Sequence, residues 1–252
     1  MREEERSKRL FLFDVDGTLT PSREKVTEEM IGFLKDLKKM GSIGFVGGSD
    51  LEKQKEQLGQ ECTSLFDFCF PENGLNYIRN GEIVSHESYL HHVGEETHVR
   101  LVNKIMKIMS EIPLPKKRGN FIELRSSMVN ISPVGRSCTK EERKEFCEYD
   151  KKNKIREKIV EELRKEFKDL TFSIGGEISI DIFPNGWDKT YCLNHLKKEG
   201  IEKIFFFGDM THEGGNDYEI FNHKETHAYT VTSPADTIKK VKEVLKLEGL
   251  RS

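Results

Sequence analysis

The sequence predicts an α/β protein in which a Rossmann-like parallel-sheet core is interrupted by an inserted α+β domain that carries an antiparallel sheet. Three observations lead there. Short apolar runs alternate with amphipathic stretches near the amino terminus, as strand, helix and strand do in parallel sheets. Across the middle of the chain the pattern changes to paired strands and long charged helices, and beyond Pro184-Asn185-Gly186 the first pattern resumes. The expected division is a discontinuous core over 1–84 and 188–252 with an inserted domain over 85–187. A chain of 252 residues is long enough for both to bury a core.

The first strand is the apolar run Leu10 to Phe13, which ends abruptly in Asp14-Val15-Asp16-Gly17-Thr18. Thr27 is placed to cap a helix whose Met30, Ile31, Leu34 and Leu37 recur at helical spacing, with Gly41 as its stop. Ile43 to Val46 reads as a second strand running into Gly47-Gly48-Ser49. A third apolar run comes at Leu65 to Phe70, and Asn80-Gly81 between Tyr77-Ile78 and Ile83-Val84 signals a two-residue hairpin. In the inserted domain the spacing predicts a helix from Val93 to Ile112 and strands Phe121 to Leu124 and Met128 to Ile131. One long charged helix comes next, opened by a Thr139/Glu142 capping box and lined by Phe146, Ile155, Ile159, Leu163 and Phe167. Strands Leu170 to Ile174 and Ile178 to Phe183 complete that domain. The core resumes with a helix from Lys189 to Lys198, stopped by Gly200, and a strand Ile204 to Phe207 that runs into Gly208-Asp209.

Composition narrows the function classes. Charged residues make up 34% of the chain, above the usual share of roughly 25%. The signs nearly cancel, leaving a net charge of −3, which argues against a nucleic-acid-binding or membrane-binding protein. Cys62, Cys69, Cys138, Cys147 and Cys192 are odd in number and form no close pairs, so neither a zinc site nor a disulfide framework is indicated, and a cytoplasmic location is expected. The amino terminus lacks the apolar core of a secretory signal.

The chemistry is carried by residues just past the carboxyl ends of the core strands. Alternation puts Asp14 and Asp16 on the same side of the extended chain, and two neighbouring carboxylates repel unless a cation lies between them, so Mg2+ is the expected companion. Ser49 and its glycine loop can supply hydroxyl and backbone donors to a phosphate, Lys189 a fixed cation, and Asp209 a third carboxylate. The expected metal ligands are thus Asp14, Asp16 and Asp209.

In this order the four features resemble the haloacid-dehalogenase-like superfamily. The stretches around Arg125, Asn130 to Arg136, Glu141 to Arg143, Gly175 to Asp181 and Pro184 to Lys189 resemble the eukaryotic phosphomannomutases, and the resemblance spans essentially the whole chain. It implies interconversion of mannose 6-phosphate and mannose 1-phosphate, supplying GDP-mannose synthesis, with a hexose 1,6-bisphosphate as activator. It makes Asp14 the nucleophile that becomes an aspartyl phosphate, and Asp16 the proton donor and acceptor, with Ser49 and Lys189 holding the transferred phosphate. It places Arg23, Arg125, Arg136 and Arg143 on the distal phosphate and sugar, and Ser179 and Asp181 on sugar hydroxyls. A homodimer through the inserted cap domain is the family expectation. A second, peripheral cation site would involve Phe221 and Thr226, but Asn222-His223-Lys224-Glu225 departs from the family pattern there. Two rivals stay open: a sugar-phosphate phosphatase of the same fold, in which water takes the phosphoryl group, and a non-catalytic sugar-phosphate-binding protein.

Overall fold

The computed structural model describes residues 8–21 and 24–250. The chain divides into two compact units, Met1–His86 with Gly186–Ser252, and Glu87–Asn185.

In the first unit the chain runs β1 (Arg9–Phe13), α1 (Glu28–Leu37), β2 (Ser42–Val46), α2 (Leu51–Leu58), α3 (Cys62–Leu65), β3 (Phe68–Phe70), a 3-10 turn (Pro71–Gly74), β4 (Asn76–Arg79) and β5 (Glu82–His86). The second unit contains α4 (Tyr89–Val93), α5 (Glu95–Glu111), β6 (Ile122–Leu124), β7 (Val129–Ile131), α6 (Lys140–Asn153), α7 (Ile155–Glu166), β8 (Leu170–Gly175) and β9 (Ser179–Pro184). The first unit then resumes with α8 (Tyr191–Lys198), β10 (Lys203–Gly208), α9 (Tyr218–Phe221), β11 (Thr226–Thr230) and α10 (Pro234–Leu247).

The first unit is a seven-stranded sheet in the order β11-β10-β1-β2-β3-β4-β5, parallel from β11 to β3 and antiparallel beyond. Leu10 to Phe13 are wholly buried because both faces of the sheet are covered, which is why the strand reads as an unbroken apolar run. Phe11, Phe13, Phe45, Phe205 and Phe207 belong to one core, and Leu10, Leu12, Phe68, Phe70 and Phe206 to another. In-register pairing stacks Phe11 on Phe205 and Phe13 on Phe207, with ring centroids 5.3 and 5.2 Å apart. At the far edge, Asn80 (φ 50°) and Gly81 (φ 87°) make the two-residue turn between β4 and β5.

The second unit is built on a four-stranded antiparallel sheet, β6-β7-β9-β8. Val129, Ile131, Phe172, Ile180 and Ile182 bury one face. Between them, register aligns Glu123, Asn130, Asp181 and Ser173 in a polar row across all four strands.

Four expectations on helices change. The helix expected from Val93 to Ile112 runs Glu95–Glu111; its start is set by Gly94, whose φ of 82° separates it from the short α4 that ends at Val93. The long charged helix is also two, α6 and α7, separated by Lys154 in the left-handed conformation (φ 54°). The helix capped by Thr27 runs Glu28–Leu37 and ends ahead of Gly41. Lys189 precedes its helix, which starts at Tyr191; the Asp188 carboxylate accepts from the Thr190 backbone N–H at 2.8 Å and shapes the turn between them.

Candidate active site

Asp14 lies one residue past β1. Its backbone N–H donates to the Phe207 carbonyl at 2.9 Å, continuing the ladder with β10 and fixing where the side chain leaves the sheet. Lys189 Nζ donates to Asp14 Oδ1 and, at 2.6 Å, to Asp217 Oδ1. All three are sealed from water, with exposures of 3% for Asp14, 1% for Lys189 and 0% for Asp217. The other Asp217 oxygen accepts from the Met210 backbone N–H at 3.0 Å, so both of its oxygens are engaged.

Half-buried Asp209 completes the group: Asp14, Asp209 and Asp217 each bring a carboxylate oxygen within 4.8 Å of the others. Gly17 is part of this arrangement, since it adopts φ 78° and a Cβ at that position would run into the Asp209 carboxylate. One ammonium therefore faces three carboxylates. Burial pushes the Asp14 carboxyl up to about 7; the Lys189 charge pulls against that rise and the Asp217 charge adds to it. Burial and Asp217 also raise Asp209. Burial works against the charge on Lys189, but Asp14 and Asp217 outweigh it and hold the ammonium above its ordinary value. Converging oxygens with excess negative charge in a dry setting form a donor set that fits a hard divalent cation.

Asp16 stands outside this group, its carboxylate accepting from Gln57 Nε2 at 2.8 Å. Ser49 lies in the loop after β2, at the same end of the sheet as Asp14 because β1 and β2 run parallel. That loop is held by the turn after β3: the backbone N–H groups of Glu72 and Asn73 donate to the Ser49 and Gly47 carbonyls, each at 2.9 Å. To do so both residues adopt left-handed backbone, φ 52° and 62°. Asn73 Nδ2 donates onward to the Trp187 carbonyl at 3.3 Å, tying the Ser49 loop to the segment that carries Lys189.

Sequence reasoning did not assign Asp217 or Asn73 a role. The signals were a Gly214-Gly215-Asn216-Asp217 run after a core strand and a Pro71-Glu72-Asn73-Gly74 turn after another.

In the second unit, Arg125 Nη2 donates to Glu123 Oε2 at 2.7 Å, and Arg136 Nε approaches the same oxygen at 3.2 Å. Arg136 Nη1 donates to Asn130 Oδ1 at 2.9 Å, and Asn130 Nδ2 to Asp181 Oδ1 at 2.5 Å. The structure thus brings Arg125, Arg136 and Asp181 into one network, with Ser179 two residues before Asp181 on β9. Arg143, in the first turn of α6, stands outside it, and Arg23 lies outside the described residues. At the peripheral position, Thr226 Oγ1 donates to the Ile220 and His223 carbonyls at 2.7 and 2.9 Å and closes the turn after α9, which ends at Phe221.

A carboxylate just past the central strand of a parallel sheet, with a lysine and further acids around it, defines the haloacid-dehalogenase-like class. A haloacid dehalogenase-like hydrolase from Bacteroides thetaiotaomicron shares the fold with a TM-score of 0.60 at 14% identity, over 94% of this chain and 99% of that one. Within the class, this chain belongs to the eukaryotic phosphomannomutase family, which matches residues 30–247. It is 57% identical over 245 residues to a phosphomannomutase of Encephalitozoon cuniculi, covering 96% of both chains, and 53% identical over 245 residues to one of Saccharomyces cerevisiae, again covering 96% of both. Among the described residues no helix is long and apolar enough to cross a membrane.

Proposed function

We propose that the chain interconverts mannose 6-phosphate and mannose 1-phosphate through an aspartyl phosphate on Asp14, and so supplies GDP-mannose synthesis. The observation that carries this reading is the sealed Asp14–Lys189–Asp217 group in a chain that belongs to the phosphomannomutase family along nearly its whole length. Asp14 attacks phosphorus, and Lys189, held by Asp217, keeps it oriented and compensates charge. Asp16 protonates the departing sugar oxygen and accepts the proton on return. Ser49 and the backbone of its loop bind the transferred phosphate. Asp14 and Asp209 are the side-chain ligands for Mg2+, whereas Asp217, with both oxygens engaged, sits behind them. When bound, the ion neutralises carboxylate and phosphate so that two anions can meet.

The inserted unit is the cap. Arg125, Arg136 and Arg143, with Arg23, hold the phosphate that is not reacting, and Ser179 and Asp181 hold sugar hydroxyls. A hexose 1,6-bisphosphate primes Asp14, and after each transfer the bisphosphate turns round to return a phosphoryl group to the enzyme. The protein is a cytosolic homodimer through the cap. Exposed Val99 and Met106 on one face of α5, with Leu124 on β6, support that interface, and sedimentation velocity of the full chain tests it.

The deciding experiment supplies mannose 1-phosphate with and without glucose 1,6-bisphosphate and tracks both mannose 6-phosphate and inorganic phosphate. Isomerisation that depends on the bisphosphate is expected. Stoichiometric release of phosphate without isomerisation would make the chain a phosphatase instead.

A further inference from the structure

Outside the residues just assigned, the second unit buries one ion pair, Arg156 at 7% exposure with Asp150 at 8%. Taking two charges out of water is costly unless the remaining donors and acceptors are also satisfied. Here the contacts beyond the pair itself fall in a particular place. The Asp150 carboxylate accepts from Arg156 Nε at 2.7 Å and from the Arg156 backbone N–H at 2.8 Å, so it both pairs the guanidinium and caps the first turn of α7. Arg156 Nη1 then points at three backbone carbonyls, those of Gly175 at 3.2 Å, Gly176 at 3.0 Å and Ser179 at 3.2 Å. These carbonyls close the turn between β8 and β9, whose last register pair is Gly175 with Ser179. β9 is also the strand that sets Asp181 opposite Asn130.

We propose that Arg156, held by Asp150, is a positioning residue for substrate: it clamps the β8–β9 turn and thereby fixes Ser179 and Asp181 against the Asn130–Arg136 side of the sheet. The inference rests on the reading that Ser179 and Asp181 bind sugar hydroxyls. The planar fork reaches the acid with one nitrogen and the three carbonyls with another, a division of labour that a lysine ammonium at the end of a flexible stem does not reproduce.

The test uses the full-length Mg2+-loaded enzyme and the conservative variant Arg156→Lys, which keeps the charge beside Asp150. Backbone amide exchange over 176–179 should accelerate by about tenfold or more as the turn loses its clamp. KM for mannose 1-phosphate should rise about tenfold while kcat stays within about twofold, the pattern of lost binding with intact chemistry. Ile159→Val, a buried change on the same helix away from the turn, controls for stability and should leave both readouts at wild-type values. Ser179→Ala and Asp181→Ala judge the underlying reading separately. If neither moves KM, the sugar-contact assignment fails, while amide exchange still decides whether the clamp exists. If they raise KM and Arg156→Lys does not, or if exchange over 176–179 is unchanged, the proposal is overturned. Should Arg156→Lys fail to fold, Asp150→Asn, which retains the shape of the acceptor, is read by the same two measurements.

Discussion

The two polar sites of this chain are built on opposite principles. In the parallel-sheet unit Asp14, Lys189 and Asp217 are almost wholly withdrawn from water, and each charge has its partner in place before any ligand arrives. In the antiparallel-sheet unit Arg125 and Arg136 share Glu123 at the surface, with side-chain exposures of 38%, 33% and 44%. Buried charges hold a reacting atom in one geometry, because every displacement exposes an uncompensated charge to low dielectric. Exposed pairs are worth only about 0–1 kcal/mol, so if these arginines grip the distal phosphate as proposed, it would displace the glutamate cheaply. The first site suits a group that must attack always the same atom. The second suits a grip that must accept either end of a hexose phosphate.

The contrast can be broken at either side. The largest effect is expected at the nucleophile: Asp14→Asn should lower turnover by about 10⁴-fold or more and abolish covalent labelling by the bisphosphate, and substantial remaining activity would sink the mechanism. Lys189→Met leaves Asp14 and Asp217 buried without a counter-charge. Denaturant titration should show a loss of about 3–5 kcal/mol, reduced when Asp217→Asn is added. Because burial pushes Asp14 up to about 7, a proton competes with the metal below that pH. Calorimetric Mg2+ affinity should therefore fall about tenfold per unit of pH below 7 and level off above it, and an affinity flat from pH 5.5 to 8 would contradict the assignment of Asp14 as a ligand.

Effects in the other unit should be smaller and confined to binding. Arg136→Gln should raise KM about tenfold with kcat little changed. Glu123→Gln, which removes the anion that the arginines hold, should lower KM by about two- to fivefold; a raised KM would mean that Glu123 orients the arginines instead of competing for them.

Much of this arrangement is legible in the residues because its physics is local. Strands covered on both faces must read as apolar runs, and a carboxylate that ends such a run cannot be part of the core, which is why Asp14 and Asp209 stand out. Asp217 does not, because an acid in a glycine-rich loop looks like an ordinary turn until the fold carries it back to Lys189. Asp16 is held by a contact that no local spacing shows, its carboxylate accepting from the Nε2 of Gln57, 41 positions along the chain. The break at Lys154 does have a signal in the spacing. Phe146 and Ile155 are about two and a half turns apart at 3.6 residues per turn, so one continuous helix would put them on opposite faces. Arg156 is hidden for a different reason, since apart from Asp150 its partners are backbone carbonyls, which no residue pattern records.

The contact between Lys189 and Asp14 joins residues 175 positions apart in the chain. The unit Glu87–Asn185 is continuous, whereas β1 finds β10 only after that unit has been made. During synthesis the antiparallel sheet has all of its strands while Leu10 to Phe13 still lack a neighbour on one side. The apolar run Leu10 to Phe13 thus waits on one side for its partner until the carboxyl-terminal strands emerge, and an unpaired apolar edge is open to misassociation over that interval.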